Sequence, residues 1–233
     1  MNGGYFIFGA VVLFVIAIII TRKQTAKYNY QKEYAECYNL LLSNKNISKR
    51  LESRIEQCEK QKNHEYSTKF AILKLYQDCK ENRSITYSMN KIKIDSLLFK
   101  NGKFDKSMVS FNGDALYFLC VDLVSLKKNK HSKEMDLLSK DLNTYAEQLH
   151  MYLEFHLFNL VYNALKEKKF SEEFYNLLIN EKNTQYNKDV LEIYQGTALL
   201  IKKYTRNPLS SDEKEKADHF AKTVIGRKIV DNL

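Results

Sequence analysis

Residues 3–21 read GGYFIFGAVVLFVIAIIIT, 19 consecutive residues without a charged side chain. In hydrocarbon every backbone N–H and C=O needs an internal partner, and a helix supplies them within one segment. At about 1.5 Å per residue the run extends about 28 Å, close to the ~30 Å core of a bilayer. It is therefore expected to cross a membrane once. No Lys or Arg precedes it, and Ile18, Ile19 and Ile20 fill the place where a signal peptidase needs small residues. An uncleaved anchor is expected rather than a signal peptide. A buried core helix is the alternative, but such runs are usually shorter and keep a polar stripe. Arg22, Lys23 and Lys27 follow directly. By the positive-inside rule this leaves the N-terminus outside and the rest of the chain on the cytoplasmic side of the inner membrane. Residues 3–21 are the expected contact with the lipid bilayer, and Arg22, Lys23 and Lys27 the expected contacts with its surface.

Beyond the anchor the chain is poor in turn-forming residues. It has 7 Gly and 1 Pro in 233 residues, where ordinary usage would give roughly 16 and 12. Sandwiches, barrels and Gly-loop nucleotide folds need more. The expected class is all-α: a single transmembrane helix followed by an irregular stack of helical hairpins. The expected organisation is an anchor at 1–22, a basic juxtamembrane helical region at 23–90 and a helical-repeat domain at 91–233. Expected helices are 3–44, 48–62, 66–81, 86–100, 104–111, 114–129, 132–142, 145–168, 171–181, 187–204 and 211–226. Asn207-Pro208 closes the tenth, and Ser210 with Glu213 forms a capping box for the last.

Cys37, Cys58 and Cys79 recur every 21 residues and Cys120 stands alone, with no CxxC pair, so reduced core thiols are expected rather than a zinc site. Sequons at Asn46 and Asn82 would matter only if the chain faced outward. Residues 22–113 hold 19 Lys+Arg against 10 Asp+Glu, while residues 114–233 hold 18 of each. The whole excess lies in the half nearest the anchor. Either it faces anionic lipid, or these are solvated helix faces, with Glu52, Glu56 and Glu59 interleaving Arg50, Arg54 and Lys60. Nucleic acid is disfavoured, since acids dilute the basic residues and no binding motif accompanies them.

One corner recurs. Phe99 to Met108, Leu126 to Met135 and Leu165 to Phe174 each read as an apolar residue, a basic polar link, a ring, Asp or Ser, two polar residues and an apolar residue. A fainter copy runs from Leu42 to Leu51. The ring is expected to plug a helix–turn–helix corner, and Asp105, Ser132, Ser171 or Ser48 to cap the next helix. This corner resembles that of a tetratricopeptide repeat, with Gly102, Phe104 and Ser107 at the three matching positions and Phe111 at the aromatic of the second helix. The resemblance implies antiparallel helix pairs stacked around a concave face, and no particular partner. Asn101-Gly102 is also a hairpin signal. The consecutive apolar residues Leu97, Leu98 and Phe99 argue for a helical corner instead.

The segment from Leu149 to Leu165 is apolar nearly all round and should lie centrally. Its one polar stripe is Tyr152, His156, Asn159 and Asn163. Similar stripes are Asp122, Ser125 and Asn129 on one neighbour and Lys188, Glu192 and Gln195 on another. If these helices stack side by side, the ten residues line one concave groove for a protein or peptide partner; the alternative is that they face solvent or satisfy one another internally. His150, Glu154 and His156 do not share one face, so no metal set is read from them. No catalytic motif is present and no cofactor is expected. The expected function is a membrane-anchored cytoplasmic scaffold or adaptor. The alternatives are an all-helical enzyme or toxin-like effector, and a tether to anionic lipid or nucleic acid through residues 22–113.

Overall fold

The computed structural model describes residues 29–179 and 186–233. The apolar run 3–21 and Arg22, Lys23 and Lys27 lie outside the described residues. Within them no helix is long and apolar enough to cross a membrane.

The fold is all-α, as the scarcity of Gly and Pro implies. Its elements are α1 (residues 29–42), α2 (Ser48–Lys60), α3 (His64–Lys80), α4 (Thr86–Lys91), α5 (Asp95–Leu98) and a small hairpin of β1 (Phe99–Lys100) and β2 (Lys103–Phe104). There follow α6 (Lys106–Phe111), α7 (Gly113–Lys128), α8 (Ser132–Asn143), α9 (Ala146–Leu149), α10 (Leu153–Glu167), α11 (Glu172–Ile179), α12 (Lys188–Tyr204), α13 (Ser211–Ala221) and α14 (Val224–Val230). Helices α3, α7, α10 and α12 pack in that order, and α2, α8, α11 and α13 pair with them as hairpin partners. One apolar core runs from Tyr30 to Ile229, across the expected boundary at residue 90.

The most enclosed helix is α3, buried without a break from Tyr66 to Cys79. Its polar residues hid this from a hydropathy reading. They are paired, as buried charges must be. Lys74 Nζ lies 2.8 Å from Asp78 Oδ1, 2.9 Å from Glu52 Oε1 and 3.1 Å from Ser48 Oγ, while Ser88 Oγ donates to Asp78 Oδ2 at 2.5 Å. Part of the basic excess is also internal. Arg50 and Arg54 both bind Glu33 of α1, at 2.7 and 2.9 Å, and Arg50 reaches Glu36 at 2.8 Å. All four cysteines are buried and free. Burial pushes the Cys37 thiol up to about 11 and that of Cys58 to about 12, so neither carries an appreciable thiolate near neutrality.

The recurrent corner has a backbone explanation. Among the described residues six helices end at a non-glycine residue of positive φ: Asn44, Lys62, Asn82, Lys130, Lys168 and Arg206. After five of these, the next N–H donates to the carbonyl five residues back, as from His131 to Leu126 at 2.9 Å and from Asn63 to Cys58 at 2.8 Å. This is the Schellman closure, built without its usual glycine. Of the expected caps, Asp105 accepts from Ser107 N–H, Ser171 accepts from Phe174 N–H at 3.4 Å, and Ser210 with Glu213 completes its box. Ser48 and Ser132 are instead the first residues of their helices, behind Ile47 and His131.

Three expected helices are broken. Segment 86–100 becomes α4, α5 and β1, because Asn101 (φ 52°) and Gly102 (φ 75°) make the two-residue turn of a hairpin pairing Phe99 with Phe104. The positive φ at both positions is what Asn-Gly favours, and it overrides the helical reading of 97–99. Gly102, Phe104 and Ser107 therefore occupy a hairpin and the start of α6 rather than a repeat corner. Phe104 and Phe170 are half-buried, not sealed plugs. Segment 145–168 breaks at His150–Tyr152, where Tyr152 is extended. His156 Nε2 donates across the break to the His150 carbonyl at 2.7 Å. Segment 211–226 splits at Thr223, whose side chain caps α14 by accepting from Gly226 N–H.

Candidate functional site

The break before α10 shapes a cavity of about 410 Å³. Tyr38 of α1, Phe111 of α6, and Gly113, Asp114 and Tyr117 of α7 form one wall. Tyr152 and Glu154 at the entry to α10, with Tyr186, Val190, Ile193 and Tyr194 at and before α12, form the other. Five tyrosines from four separate segments converge here. Because Tyr152 is extended and α10 begins after it, the side chain of Glu154, in the first helical turn, reaches the first turn of α7.

Glu154 is 5% exposed. Its Oε1 accepts from Tyr194 OH and its Oε2 from Tyr186 OH, both at 2.9 Å. Burial raises its pKa above the ordinary carboxyl value, partly offset by the backbone N–H and by the two phenols. A β-carbon on Gly113 would sit 2.8 Å from Oε1, so glycine is what lets this carboxyl approach the positive end of α7. Tyr194 stacks on Tyr117, with ring centroids 5.4 Å apart and planes at 18°. Tyr117 OH lies 3.0 Å from Thr197 Oγ1. Burial raises the phenols of Tyr117, Tyr186 and Tyr194 well above their ordinary value, and that of Tyr38 to about 12. All remain protonated donors at neutral pH.

Behind Phe111 the fold already seats one ammonium in surroundings of the same kind. Lys69 is buried; its Nζ lies 3.2 Å from Asp114 Oδ1, 4.5 Å from the Tyr34 ring centre and 5.0 Å from that of Phe111. Ring faces and a carboxylate together make up for the lost hydration of a cation. Asp114 is therefore shared between Lys69 and the cavity, whereas Glu154 has only neutral phenol donors.

The ten stripe residues do not converge on one groove. Asp122, Ser125, His156 and Asn159 are buried. Ser125 Oγ donates to Val121 O, Asn159 Nδ2 donates to Phe155 O, and Asn143 donates to Asn159 Oδ1 at 3.2 Å. Asn129 is turned back onto the Ser125 carbonyl. Both oxygens of Asp122 lack a hydrogen-bond partner among the described residues, and burial holds its pKa well above the usual carboxylate range. Asn163 is half-buried, Gln195 reaches the Leu178 carbonyl at 3.4 Å, and Lys188 and Glu192 are exposed and paired with each other at 3.8 Å. Only Tyr152 of the ten lines the cavity. The buried Ser125, His156 and Asn159 satisfy backbone carbonyls of a tightly packed stack, which helical periodicity alone cannot distinguish from lining a groove.

Sequence reasoning did not nominate Tyr38, Tyr117, Glu154, Tyr186 or Tyr194 for binding. The available signal was the count of 16 tyrosines, which carries no information on convergence. Comparison with protein families, curated proteins and solved structures finds no match.

Proposed function

We propose that this chain is a membrane-anchored binding protein, held by residues 3–21 with its helical domain on the cytoplasmic side of the inner membrane, that captures a cationic group of a protein or peptide partner in the tyrosine-lined cavity. The observation that carries this reading is the composition of the wall: five tyrosines, Phe111, Glu154 and Asp114, with no Lys, Arg or His among the lining residues. Ring faces attract a cation by about 0.5–2 kcal/mol each, most when water is excluded. Glu154 supplies the charge partner in a buried position, where the interaction is stronger than in water. The role is that of a scaffold or adaptor that docks a lysine or arginine side chain. The alternative occupant, a neutral apolar side chain, would leave the Glu154 carboxyl without a partner of opposite charge.

The test is calorimetric titration of the full chain in detergent with acetyl-lysine methylamide and with its norleucine analogue, which differ in the ammonium. The lysine compound is expected to bind at least roughly tenfold tighter, the worth of one charge-assisted contact, and Glu154→Gln to erase that preference. Equal binding of the two compounds would refute the cation-docking role.

A further inference from the structure

A second cavity, about 430 Å³, lies at the other end of α7. Its wall is made where three helices finish. Lys80 stands in the last turn of α3, Lys128 in that of α7, and Arg227 and Lys228 in that of α14, and all four line the cavity with Asn44 from the turn after α1. Basic residues at helix C-termini ordinarily answer the negative end of their own helix. Lys128 instead answers the end of α14 across the cavity, donating to the Asp231 carbonyl at 2.8 Å.

The other cations are not accounted for in that way. Lys228 is 6% exposed, and its ammonium lies 5.7 Å from the Tyr76 ring centre. Among the described residues its ammonium donates to Asn44 Oδ1, at 2.6 Å. The same amide oxygen accepts from Lys80 Nζ at 3.0 Å. Two ammoniums thus crowd onto one neutral acceptor. Asp231 lines the cavity, yet none of the four cations makes an ion pair with it or with any other carboxylate among the described residues. A buried ammonium without a charge partner is costly. Burial, followed by the nearby Lys80, lowers the Lys228 pKa, and Asp231 offsets this in part. Every other buried lysine among the described residues has a carboxylate partner: Lys69 has Asp114, Lys74 has Asp78 and Glu52, and Lys202 has Glu213.

We propose that this cavity binds a phosphate group, carried by a soluble phosphorylated compound or by a phospholipid headgroup. A dianion there would take the place of Asn44 Oδ1 as acceptor for Lys80 and Lys228 and would engage the exposed Arg227 guanidinium, whose fork suits phosphate oxygens. This inference uses residues distinct from the tyrosine cavity and stands independently of the cation-docking role.

The test uses the full chain in neutral detergent, titrated with pyrophosphate and separately with water-soluble dihexanoyl phosphatidic acid, with chloride at matched ionic strength as the reference. Saturable binding of either phosphate probe, weakened roughly tenfold or more in Arg227→Gln and unchanged in the distant surface variant Lys106→Gln, is the expected result. Arg227 is exposed, so that variant keeps its fold; Lys228→Gln should weaken binding as well. Tighter binding of pyrophosphate identifies a soluble ligand, and tighter binding of the phosphatidic acid a headgroup. Responses no greater than chloride gives, or equal in wild type and Arg227→Gln, would overturn the proposal.

Discussion

The two ends of α7 present opposite cavities. At its N-terminus Gly113, Asp114 and Tyr117 face Glu154 in a tyrosine-lined wall without a basic residue; at its C-terminus Lys128 joins Lys80, Arg227 and Lys228. The helix is 16 residues long, so the two sites are separated by about 24 Å. The difference follows from the helix itself, since acids are favoured near the positive end of the dipole and bases near the negative end. Where several helices finish together, that local preference adds up to a cavity in which bases outnumber acids. What differs is the compensation. The acidic end is partly neutralised from within by Lys69 and by tyrosine donors, whereas the ammoniums of the basic end bond to an amide oxygen and a backbone carbonyl, and Asp231 lines the cavity without forming an ion pair with them.

The largest expected effect comes from the residue that joins the two ends. The Phe118 ring is buried between Tyr38 of the first cavity, with centroids 5.5 Å apart, and Tyr76 of the second, at 5.7 Å. Phe118→Ala should lower stability by about 3–5 kcal/mol, the usual result of emptying an aromatic core site, and weaken both cavities together. A urea midpoint shift equal to that of a surface change such as Lys106→Ala would break the link between them.

Next in size is Glu154→Ala. It leaves the phenols of Tyr186 and Tyr194 without their acceptor, at about 1–3 kcal/mol for each buried group. Chemical denaturation should show the loss, and phosphate binding at the far end of α7 should stay as it was. A stability loss without any change in lysine-analogue binding would make Glu154 structural only.

Asp122, midway along α7, sharpens the contrast between a buried acid with donors and one without. Its folded pKa is raised, so the native state stays protonated where the unfolded chain ionises. Its contribution is fully present below the unfolded carboxyl value near 4 and is lost as pH rises, at about 1.4 kcal/mol per unit until the folded pKa is reached. Asp122→Asn mimics the neutral form. Its melting temperature should gain on wild type between pH 5 and pH 8, and a gain independent of pH would contradict a protonated Asp122.

The general features of the fold were legible in the chain because they rest on local physics. Scarce Gly and Pro announced helices, Ser210 with Glu213 announced a cap, and Asp105 announced the start of α6. The cavities were not legible. Tyr38 and Tyr194 are brought together through α7 and α12, and no spacing along the chain reports that. Likewise the stripe on α10 obeyed helical periodicity, yet His156 and Asn159 point into the bundle, because a neighbour on that side is a property of the packing. Asn101-Gly102 is a local hairpin signal that prevails in the molecule over the helical run Leu97 to Phe99.

The smallest expected effect concerns the corners. Lys168 takes a left-handed conformation, φ 53°, immediately after α10, and L-residues pay about 1–2 kcal/mol there. Lys168→Gly should relieve this and stabilise the chain by about 0.5–1 kcal/mol, the gain being reduced by the greater freedom of glycine in the unfolded chain. Thermal denaturation would show it, and neither cavity should respond.

The proposed selection of positive charge by the tyrosine cavity rests on Glu154, so it should depend on pH. Burial raises the pKa of Glu154 in the free protein, and a bound ammonium favours its ionised form. Affinity for acetyl-lysine methylamide should therefore increase from pH 5 to pH 8, with proton release on binding at the lower pH. The norleucine analogue and the Glu154→Gln variant should show flat profiles. A flat profile for the lysine compound on wild type, at the affinity of the norleucine analogue, would refute charge selection by Glu154.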